Sequence, residues 1–384
     1  MRVLAVTTWL PTKSQPSTGA FVVKDALALA SLGHEVALIH LAPPEQLADL
    51  DAHEKGRPGT YGETTTIEGI PVLRIPMKTT DVFSVLRASK QLQKLAAKAD
   101  VVHSMAFSSL LAMASWRPKV SWIHTEHWSG ITAPQTLPDI WQAALPGLMQ
   151  LLKRPDVVTA VCGYLAEPIR EVRGTAPTLV IPCIVPAPFP SPRRTPAKIS
   201  EELRLVSVGG LIARKDPVLA VDVVAELISR GQTTSIRFVG DGDLAPEIIA
   251  RAAVLEISDK VSLVGTKDRE GVLREYADAD LFLGPTRGDN FFVSCAEAIL
   301  SGRPVVVGST GGQGEYIDSH VGRTVSQQDA ASYADAIEQV LSTATNLSAG
   351  QISDTIGDEF AAATVADSYD QAYVVAEQMR GHLR

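Results

Sequence analysis

Two stretches of the chain repeat one order of apolar and polar segments. Residues 2–8 form an apolar run, followed by a glycine-bearing loop, a helical pattern that ends at Gly33 and a second apolar run. From residue 204 an apolar run again meets glycine, and a loop, a helical pattern ending at Gly231 and another strand pattern follow. Each stretch predicts a strand, a loop, a helix and a strand, the start of a doubly wound parallel sheet. The pattern therefore predicts an α/β protein with two Rossmann-like domains.

A proline-rich segment marks the boundary between these domains. Six prolines fall within residues 182–198, which therefore form neither a helix nor an inner strand. We expect an N-terminal domain over residues 1–186, a linker over 187–200 and a C-terminal domain over 201–364. A final helical pattern follows, which either caps the second domain or, as we expect, crosses back to the first over residues 365–384. Residues 43–66 are polar and predict a long surface loop before a short hairpin.

Composition and charge narrow the class of protein. The chain has 384 residues, of which 45% are hydrophobic and 20% charged, so two domains can each bury a core. Its formal net charge of -8 argues against nucleic-acid binding, which depends on neutralising phosphates. The three cysteines are far apart and predict no disulfide framework. The N-terminus is typical of a buried strand, and no segment is apolar enough to span a bilayer, so we expect a cytoplasmic protein.

The segment with the most chemical content covers residues 284–315. An apolar strand ends at Pro285, a polar loop follows, and a helix is predicted from about Phe292 to Leu300. The start of a helix at the carboxyl edge of a parallel sheet suits a phosphate. Glu297 is placed to hydrogen-bond the hydroxyls of a ribose behind that phosphate. The alternative is an ordinary βα turn in which glycine serves only steric needs.

At these residues the sequence resembles the retaining glycosyltransferases of family 4, which have the GT-B fold. The family pattern of an acidic residue, seven others and a glutamate corresponds to Asp289 and Glu297, followed by AILSGRPVV and GGQGE. Further landmarks occur in the same order, including VSVGGLIARKDP, FVGDGD, GAFVVKDALALASLGHEVALI, DVVHS and TEHWS. The likeness covers nearly the whole chain and is tighter in the C-terminal half.

The resemblance implies two Rossmann-like domains facing across a cleft, with the donor on the C-terminal side and the acceptor on the N-terminal side. It implies transfer of a sugar from a UDP- or GDP-linked donor to a hydroxyl group, with retention of the anomeric configuration. The acceptor would be a small molecule, a glycan or a lipid-linked sugar, and neither a metal nor another cofactor is expected. Two alternatives are a nucleotide-sugar epimerase of the same fold and a non-catalytic protein that binds a nucleotide sugar.

The resemblance also indicates site residues. Lys215 and Arg214 are expected to stabilise the leaving diphosphate, because cations placed against developing negative charge stabilise a transition state. Asp289 is expected to face the donor sugar, as is His127, with His124 the second choice. The expected donor-binding residues are Gly19, Gly210, Gly265, Thr266, Asn290, Phe291, Phe292, Val293, Ser294 and Glu297. The expected acceptor-side residues are Trp9, His103, His124 and Trp128.

Several positions depart from the family pattern. Asp289 stands where glutamate is usual, which shortens its reach by one methylene group. Phe292 replaces a common glycine, so the loop at the donor sugar is expected to be narrower. Gly210 replaces a common arginine, whose charge Arg214 is expected to supply. Cys183 stands where asparagine is usual.

A basic stripe points to a further partner. Arg87, Lys90, Lys94 and Lys98 recur every three or four residues in the predicted helix over 86–98. Such a helix can rest weakly on an anionic membrane and bring a lipid-linked acceptor to the enzyme. The alternative is a solvated face on a helix that packs on the core.

Overall fold

The computed structural model describes residues 1–12, 18–48, 65–186 and 202–381. The chain divides into two compact units, which we call the N-terminal and C-terminal units. The first comprises Met1–Ile184 with Ala361–Arg384, and the second comprises Val185–Phe360. The expected linker over residues 187–200 and most of the expected surface loop over 43–66 lie outside the described residues.

The N-terminal unit is built on one mainly parallel sheet. Its strands are β1 (Arg2–Thr7), β2 (Glu35–Ala42), β3 (Thr65–Ile67), β4 (Ile70–Pro76), β5 (Val101–Met105), β6 (Ser121–Glu126), β7 (Val157–Ala160) and β8 (Thr178–Val180). Within the described residues they lie in the order β3-β4-β2-β1-β5-β6-β7-β8. Only the β3–β4 hairpin among these pairings is antiparallel. Its helices before the crossing to the second unit are α1 (Ala20–Ser31), α2 (Pro44–Ala48), α3 (Val82–Ala96), α4 (Asp139–Met149) and α5 (Gly163–Arg173).

Local sequence explains how α1 begins. Gly19 precedes the helix in the left-handed conformation, with φ 70°. A Cβ atom at this position would lie 2.2 Å from the carbonyl oxygen of Trp9. Glycine is therefore required both by the backbone angle and by the close approach of the loop after β1.

The C-terminal unit is a second parallel sheet with helices packed against it. Its strands are β9 (Leu203–Val208), β10 (Thr234–Val239), β11 (Val261–Leu263), β12 (Leu281–Gly284), β13 (Val305–Gly308) and β14 (Gly322–Val325). Their order within the described residues is β11-β10-β9-β12-β13-β14, and every pairing is parallel. The helices are α6 (Pro217–Ser229), α7 (Ala245–Val254), α8 (Arg269–Asp278), α9 (Val293–Leu300), α10 (Ala330–Ala344) and α11 (Ala349–Asp354). The loops after β9, β12 and β13 leave the same edge of the sheet.

The last helix, α12 (Ala362–Gly381), packs against α1 and β6 of the N-terminal unit. The hydroxyl of Tyr369 donates to the buried carboxylate of Asp25 over 3.2 Å. Near the end of the helix, Arg380 Nε donates to Asp156 over 3.1 Å. The end of the chain thus supplies part of the core of the first unit. In the described ranges, no helix is long and apolar enough to cross a membrane.

Candidate active site

One carboxylate joins two cations at the carboxyl edge of the C-terminal sheet. Arg214 and Lys215 lie on a short 3-10 turn (Ala213–Lys215) after β9, and Asp289 lies on the loop between β12 and α9. The Oδ2 atom of Asp289 accepts from Arg214 and from Lys215 Nζ, each over 2.7 Å. Arg214 also donates to the carbonyl of Gly288 over 2.7 Å. The structure therefore brings the three residues expected at the leaving group and the donor sugar into contact.

The second oxygen of Asp289 organises its own loop. Oδ1 accepts the backbone N–H of Phe291 over 3.1 Å and that of Phe292 over 2.8 Å, a turn for which aspartate is well suited. Burial opposes ionisation of this carboxyl, but Lys215 and Arg214 outweigh it and hold its pKa below its usual range. Asp289 is therefore ionised at neutral pH, and both of its oxygens are engaged.

Phe292 takes the left-handed conformation that its glycine counterpart would adopt easily, with φ 59°. It directly precedes α9, and its ring is buried against Phe282. Gly284 makes room for the ring, since a Cβ atom there would lie 2.7 Å from Phe292 Cζ. Lys215 Nζ lies 3.5 Å from the ring centroid, an attractive cation–π contact. The aromatic ring thus lies against Lys215 within this unit.

The second glycine-rich loop is held against Asp289 by main-chain contacts. Asp289 N donates to Thr310 O over 3.3 Å, and Gly312 N donates to Asp289 O over 3.1 Å. Gly311 has φ 127°, and a Cβ atom there would lie 1.8 Å from Asp289 O. Gly311 is therefore required because two backbones meet here, next to the candidate site.

Helix α9 carries the remaining donor-side candidates of this region. Val293 and Ser294 lie in its first turn. The residue before the helix, Phe292, makes no side-chain hydrogen bond that caps it. The hydroxyl of Tyr276 donates to Ser294 O over 2.8 Å and fixes the start of the helix. Glu297 is half-buried on the fifth position of α9, near Tyr276. Asn290 is buried in the preceding loop.

The other expected donor-side residues lie elsewhere. Gly210 is exposed in the loop after β9, and Thr266 is exposed after β11, beside Gly265. Gly265 O accepts the N–H of Gly240, which links the loops after β10 and β11 over 3.0 Å. These residues share the sheet edge with Asp289. Gly19 lies in the N-terminal unit, against the backbone of Trp9.

Glu126, which sequence reasoning did not select, organises the predicted histidine region of the N-terminal unit. It is the last residue of β6 and is fully buried. Its Oε1 accepts the backbone N–H groups of His127 over 2.9 Å and Trp128 over 2.8 Å. Its Oε2 lies 3.1 Å from His124 Nε2. The sequence signal that could have identified Glu126 is a glutamate directly at the end of an apolar strand.

The ring of His127 lies just beyond β6. It stacks on Phe21 with centroids 3.9 Å apart, and its Nδ1 lies 3.8 Å from the Sγ of Cys183. Burial, with a smaller effect from His124, lowers the pKa of His127 to about 3. His127 is therefore neutral at physiological pH and is suited to hydrogen bonding. Within the described ranges, no group of three histidine, cysteine or acidic side chains is arranged to hold a metal ion.

The structure corrects the expectation that His103 and His124 face an acceptor. Both are fully buried inside strands, His103 in β5 and His124 in β6. The nitrogens of His103 lie 2.9 Å from the Tyr373 hydroxyl and 2.6 Å from Thr125 Oγ1. Those of His124 are held by Ser104 and Glu126. Both histidines belong to the core.

The two expected tryptophans share a pocket of about 320 Å³ within the N-terminal unit. We call it the tryptophan pocket, and the described residues that line it are Trp9, Thr79, Phe107, Ser108, Leu111, Trp128, Leu137, Trp141 and Leu148. Only Thr79 and Ser108 among them are polar, and none is charged. The pocket therefore suits an apolar group.

Solved structures with similar coordinates show which fold this protein has. A sucrose-phosphate synthase from Thermosynechococcus elongatus is similar with a TM-score of 0.72 and 18% identity, covering 97% of this chain and 98% of that one. An Anabaena protein, solved in complex with UDP and glucose, is similar with a TM-score of 0.69 and 18% identity, covering 97% and 99%. The chain therefore has the GT-B fold, with two Rossmann-like α/β units.

Sequence comparison identifies the family. The model of Glycosyltransferase Family 4 matches residues 20–187, and that of Glycosyl transferases group 1 matches residues 202–343. A D-inositol 3-phosphate glycosyltransferase from Nocardia farcinica is 25% identical over 371 residues, covering 85% of this chain and 79% of that protein. The chain belongs to the glycosyltransferases of the family 4 type. The name of this relative is that of a glycosyltransferase and not of an epimerase, which was one alternative from the sequence.

Proposed function

We propose that this glycosyltransferase transfers a sugar from a UDP- or GDP-linked donor to a hydroxyl group of an acceptor, with retention of the anomeric configuration. The observation that carries the proposal is the contact of Arg214 and Lys215 with one carboxylate at the carboxyl edge of the sheet. The Anabaena protein of the same fold, solved with UDP and glucose, supports a nucleotide donor.

The charge of this cluster suits a leaving diphosphate. Two cations and the ionised Asp289 leave one net positive charge beside the start of α9. When the bond from the anomeric carbon to the phosphate oxygen breaks, negative charge develops on that oxygen. A unit charge at about 4 Å contributes roughly 4 kcal/mol at an effective dielectric constant of about 20. That stabilisation corresponds to about a thousandfold in rate, which the chain's own side chains supply in this proposal.

Asp289 acts in this scheme as a positioning residue. One of its oxygens accepts from both cations, and the other accepts two backbone N–H groups. A carboxylate engaged in this way is a poor nucleophile, so the proposal includes no covalent intermediate on Asp289. Its role is to hold Lys215 and Arg214 in place, which reduces their reorganisation during the reaction.

Two other residues keep the roles expected from the family pattern. Glu297 is proposed to bind the ribose hydroxyls, since it is half-buried one turn into α9. His127 is proposed to hydrogen-bond the donor sugar as a neutral ring, in agreement with its lowered pKa. The neutral ring can donate or accept a hydrogen bond at neutral pH.

A thermal-shift screen of UDP-, GDP- and ADP-sugars would identify the donor, because a ligand that binds the folded state raises its stability. Lys215→Gln should then lower the transfer rate more than the affinity for the nucleoside diphosphate, since the charge develops mainly in the transition state. Lys260→Gln is the matched control, because Lys260 directly precedes β11 at the opposite edge of the sheet. Normal turnover by Lys215→Gln, or equal losses in both variants, would contradict the proposal.

A further inference from the structure

Large apolar side chains are exposed at the starts of two helices of the N-terminal unit, α3 and α4. Val82 and Phe83 at the start of α3 are 70% and 75% exposed, and Ile140 at the start of α4 is 75% exposed. Together with the exposed Leu86 and Trp141, we call these residues the apolar patch. Exposed large apolar groups near a pocket are typical of interaction sites.

The apolar patch lies beside the tryptophan pocket. Trp141 belongs to both, and Thr79, which also lines the pocket, precedes Val82 by three residues. The pocket and the patch therefore share Trp141 at α4, and at α3 the pocket residue Thr79 lies close in sequence to the patch. An apolar group bound in the pocket would have an apolar surface next to it.

Helix α3 adds a row of positive charge to the patch. Phe83, Arg87, Lys90 and Lys94 follow one another at spacings of four, three and four residues, so they share one exposed face. The opposite face is buried through Ser84, Ala88, Ser89, Leu92 and Ala96. The helix contains no Asp or Glu, although the whole chain has a net charge of -8.

Other arginines on the surface of this protein form ion pairs. Arg230, Arg251 and Arg274 all form ion pairs with nearby carboxylates. Within the described parts of the chain, Arg87, Lys90 and Lys94 form none. Their charge is therefore available to an anionic partner, which must also accept the apolar side chains at the start of the helix.

We propose that this face docks on an anionic lipid bilayer, and that the tryptophan pocket receives the hydrocarbon part of a lipid-linked acceptor. A helix with apolar residues at one end and a row of lysine and arginine along its exposed face is typical of interfacial binding. The proposed docking on a bilayer is supported by the exposed residues alone, whereas the proposed binding of a lipid-linked acceptor also rests on the proposed function.

The bilayer part is tested by co-sedimentation of the full chain with vesicles. Vesicles of phosphatidylglycerol and phosphatidylcholine in equal parts should bind the protein, pure phosphatidylcholine vesicles should bind it weakly, and salt should reduce binding. Lys90→Gln and Lys94→Gln should each lower the partition coefficient about fivefold, the fold-change that corresponds to about 1 kcal/mol per basic residue.

The double variant Phe83→Ser with Ile140→Ser tests the apolar patch and should lower the partition coefficient at least tenfold. The double variant Ile249→Ser with Val254→Ser is the control, because these residues are 60% and 73% exposed on α7 of the other unit. No binding to the anionic vesicles, or equal losses in the two double variants, would overturn the docking. Soluble polyglutamate would be added as a competitor. If it displaces the protein from the vesicles at an equal concentration of negative charge, the docking would also be overturned, in favour of an acidic protein as the partner.

The pocket is tested with a brominated alkyl glycoside below its micelle concentration, since bromine quenches tryptophan on contact. Three of the five tryptophans line the pocket, so saturable quenching is expected in the native chain. Leu111→Phe, which fills the pocket without adding charge, should weaken it. Unsaturable quenching, or quenching unchanged by Leu111→Phe, would overturn this part. Both assays contain no donor, so nucleotide binding by calorimetry tests the proposed function separately.

Discussion

Replacing Asp25 with asparagine is expected to remove a pH-dependent destabilisation of the N-terminal unit. Asp25 lies on α1 and is buried against α12, where Tyr369 donates to its carboxylate over 3.2 Å. Burial raises the pKa of Asp25 to about 7, although the hydrogen bond from Tyr369 and the nearby charge of Lys24 oppose this shift. An asparagine has nearly the same shape and can still accept from the Tyr369 hydroxyl.

The sign and size of the effect follow from the difference between the two states. The unfolded chain ionises Asp25 near an ordinary pKa of about 3.9, whereas the folded chain keeps the proton up to a pKa of about 7. The contribution of Asp25 to the free energy of unfolding is therefore complete below about pH 4. It falls as the pH rises toward 7, by at most about 1.4 kcal/mol per pH unit. Between pH 5 and pH 8 the loss is roughly 2.5 kcal/mol, and in full it is about 4 kcal/mol.

The assay is urea unfolding at pH 5 and pH 8, followed by tryptophan fluorescence. The native chain should lose roughly 2.5 kcal/mol more than Asp25→Asn over this interval, because all other titrating groups are common to both. Asp367→Asn, which changes an exposed carboxylate on α12, is the control and should behave like the native chain. Equal pH dependence in the native chain and Asp25→Asn would refute the reasoning.

Four further variants test the site assignments. Glu297→Ala should weaken nucleoside diphosphate binding about tenfold to hundredfold, the loss expected for hydrogen bonds to a charged group; unchanged binding in calorimetry would remove Glu297 from the site. Asp289→Asn should tighten that binding, because the carboxylate no longer offsets the two cations, while lowering the melting temperature; weaker binding would contradict the charge argument. His127→Ala should lower the transfer rate with nucleotide affinity nearly intact, and His124→Ala should act through stability. Normal transfer by His127→Ala, with loss in His124→Ala at an unchanged melting temperature, would reverse these two roles.

The architecture was predictable because its signals are local. Buried parallel strands have nearly continuous apolar runs, and the helices between them end at glycines, so β1, α1, β9 and α6 lie where the patterns predicted them. The position of the two cations after β9 was also predictable, since residues that follow a strand of a parallel sheet reach its carboxyl edge. Local order along the chain was sufficient for these features.

The histidines show where local reasoning stops. His103 and His124 were expected on the acceptor side, which requires side chains beyond their strands, whereas β5 continues to Met105 and β6 to Glu126. A shift of two residues in a strand boundary moves a side chain from the loop into the core. His127, one residue after β6, is the one of the three that the structure places beyond its strand.

Contacts between distant segments were also outside the reach of the sequence. Asp289 meets Arg214 across 75 positions, and neither residue carries a local sign of the other. The tryptophan pocket likewise combines Trp9, Phe107, Trp128 and Trp141 from separate loops and helices. Such arrangements depend on how the sheet is assembled, which periodicity alone does not specify.

The membership of α12 in the N-terminal unit has a consequence for synthesis on the ribosome. Residues 185–360 form a contiguous insertion between the two parts of that unit. Domains fold as they emerge, N-terminal first, but here Tyr369 and Tyr373 are made only after the whole inserted unit. The surface of the N-terminal part that α12 covers therefore stays exposed until the end of synthesis, while the inserted unit, which is made earlier than α12, can begin to fold first. The first unit to begin is thus the last to be completed.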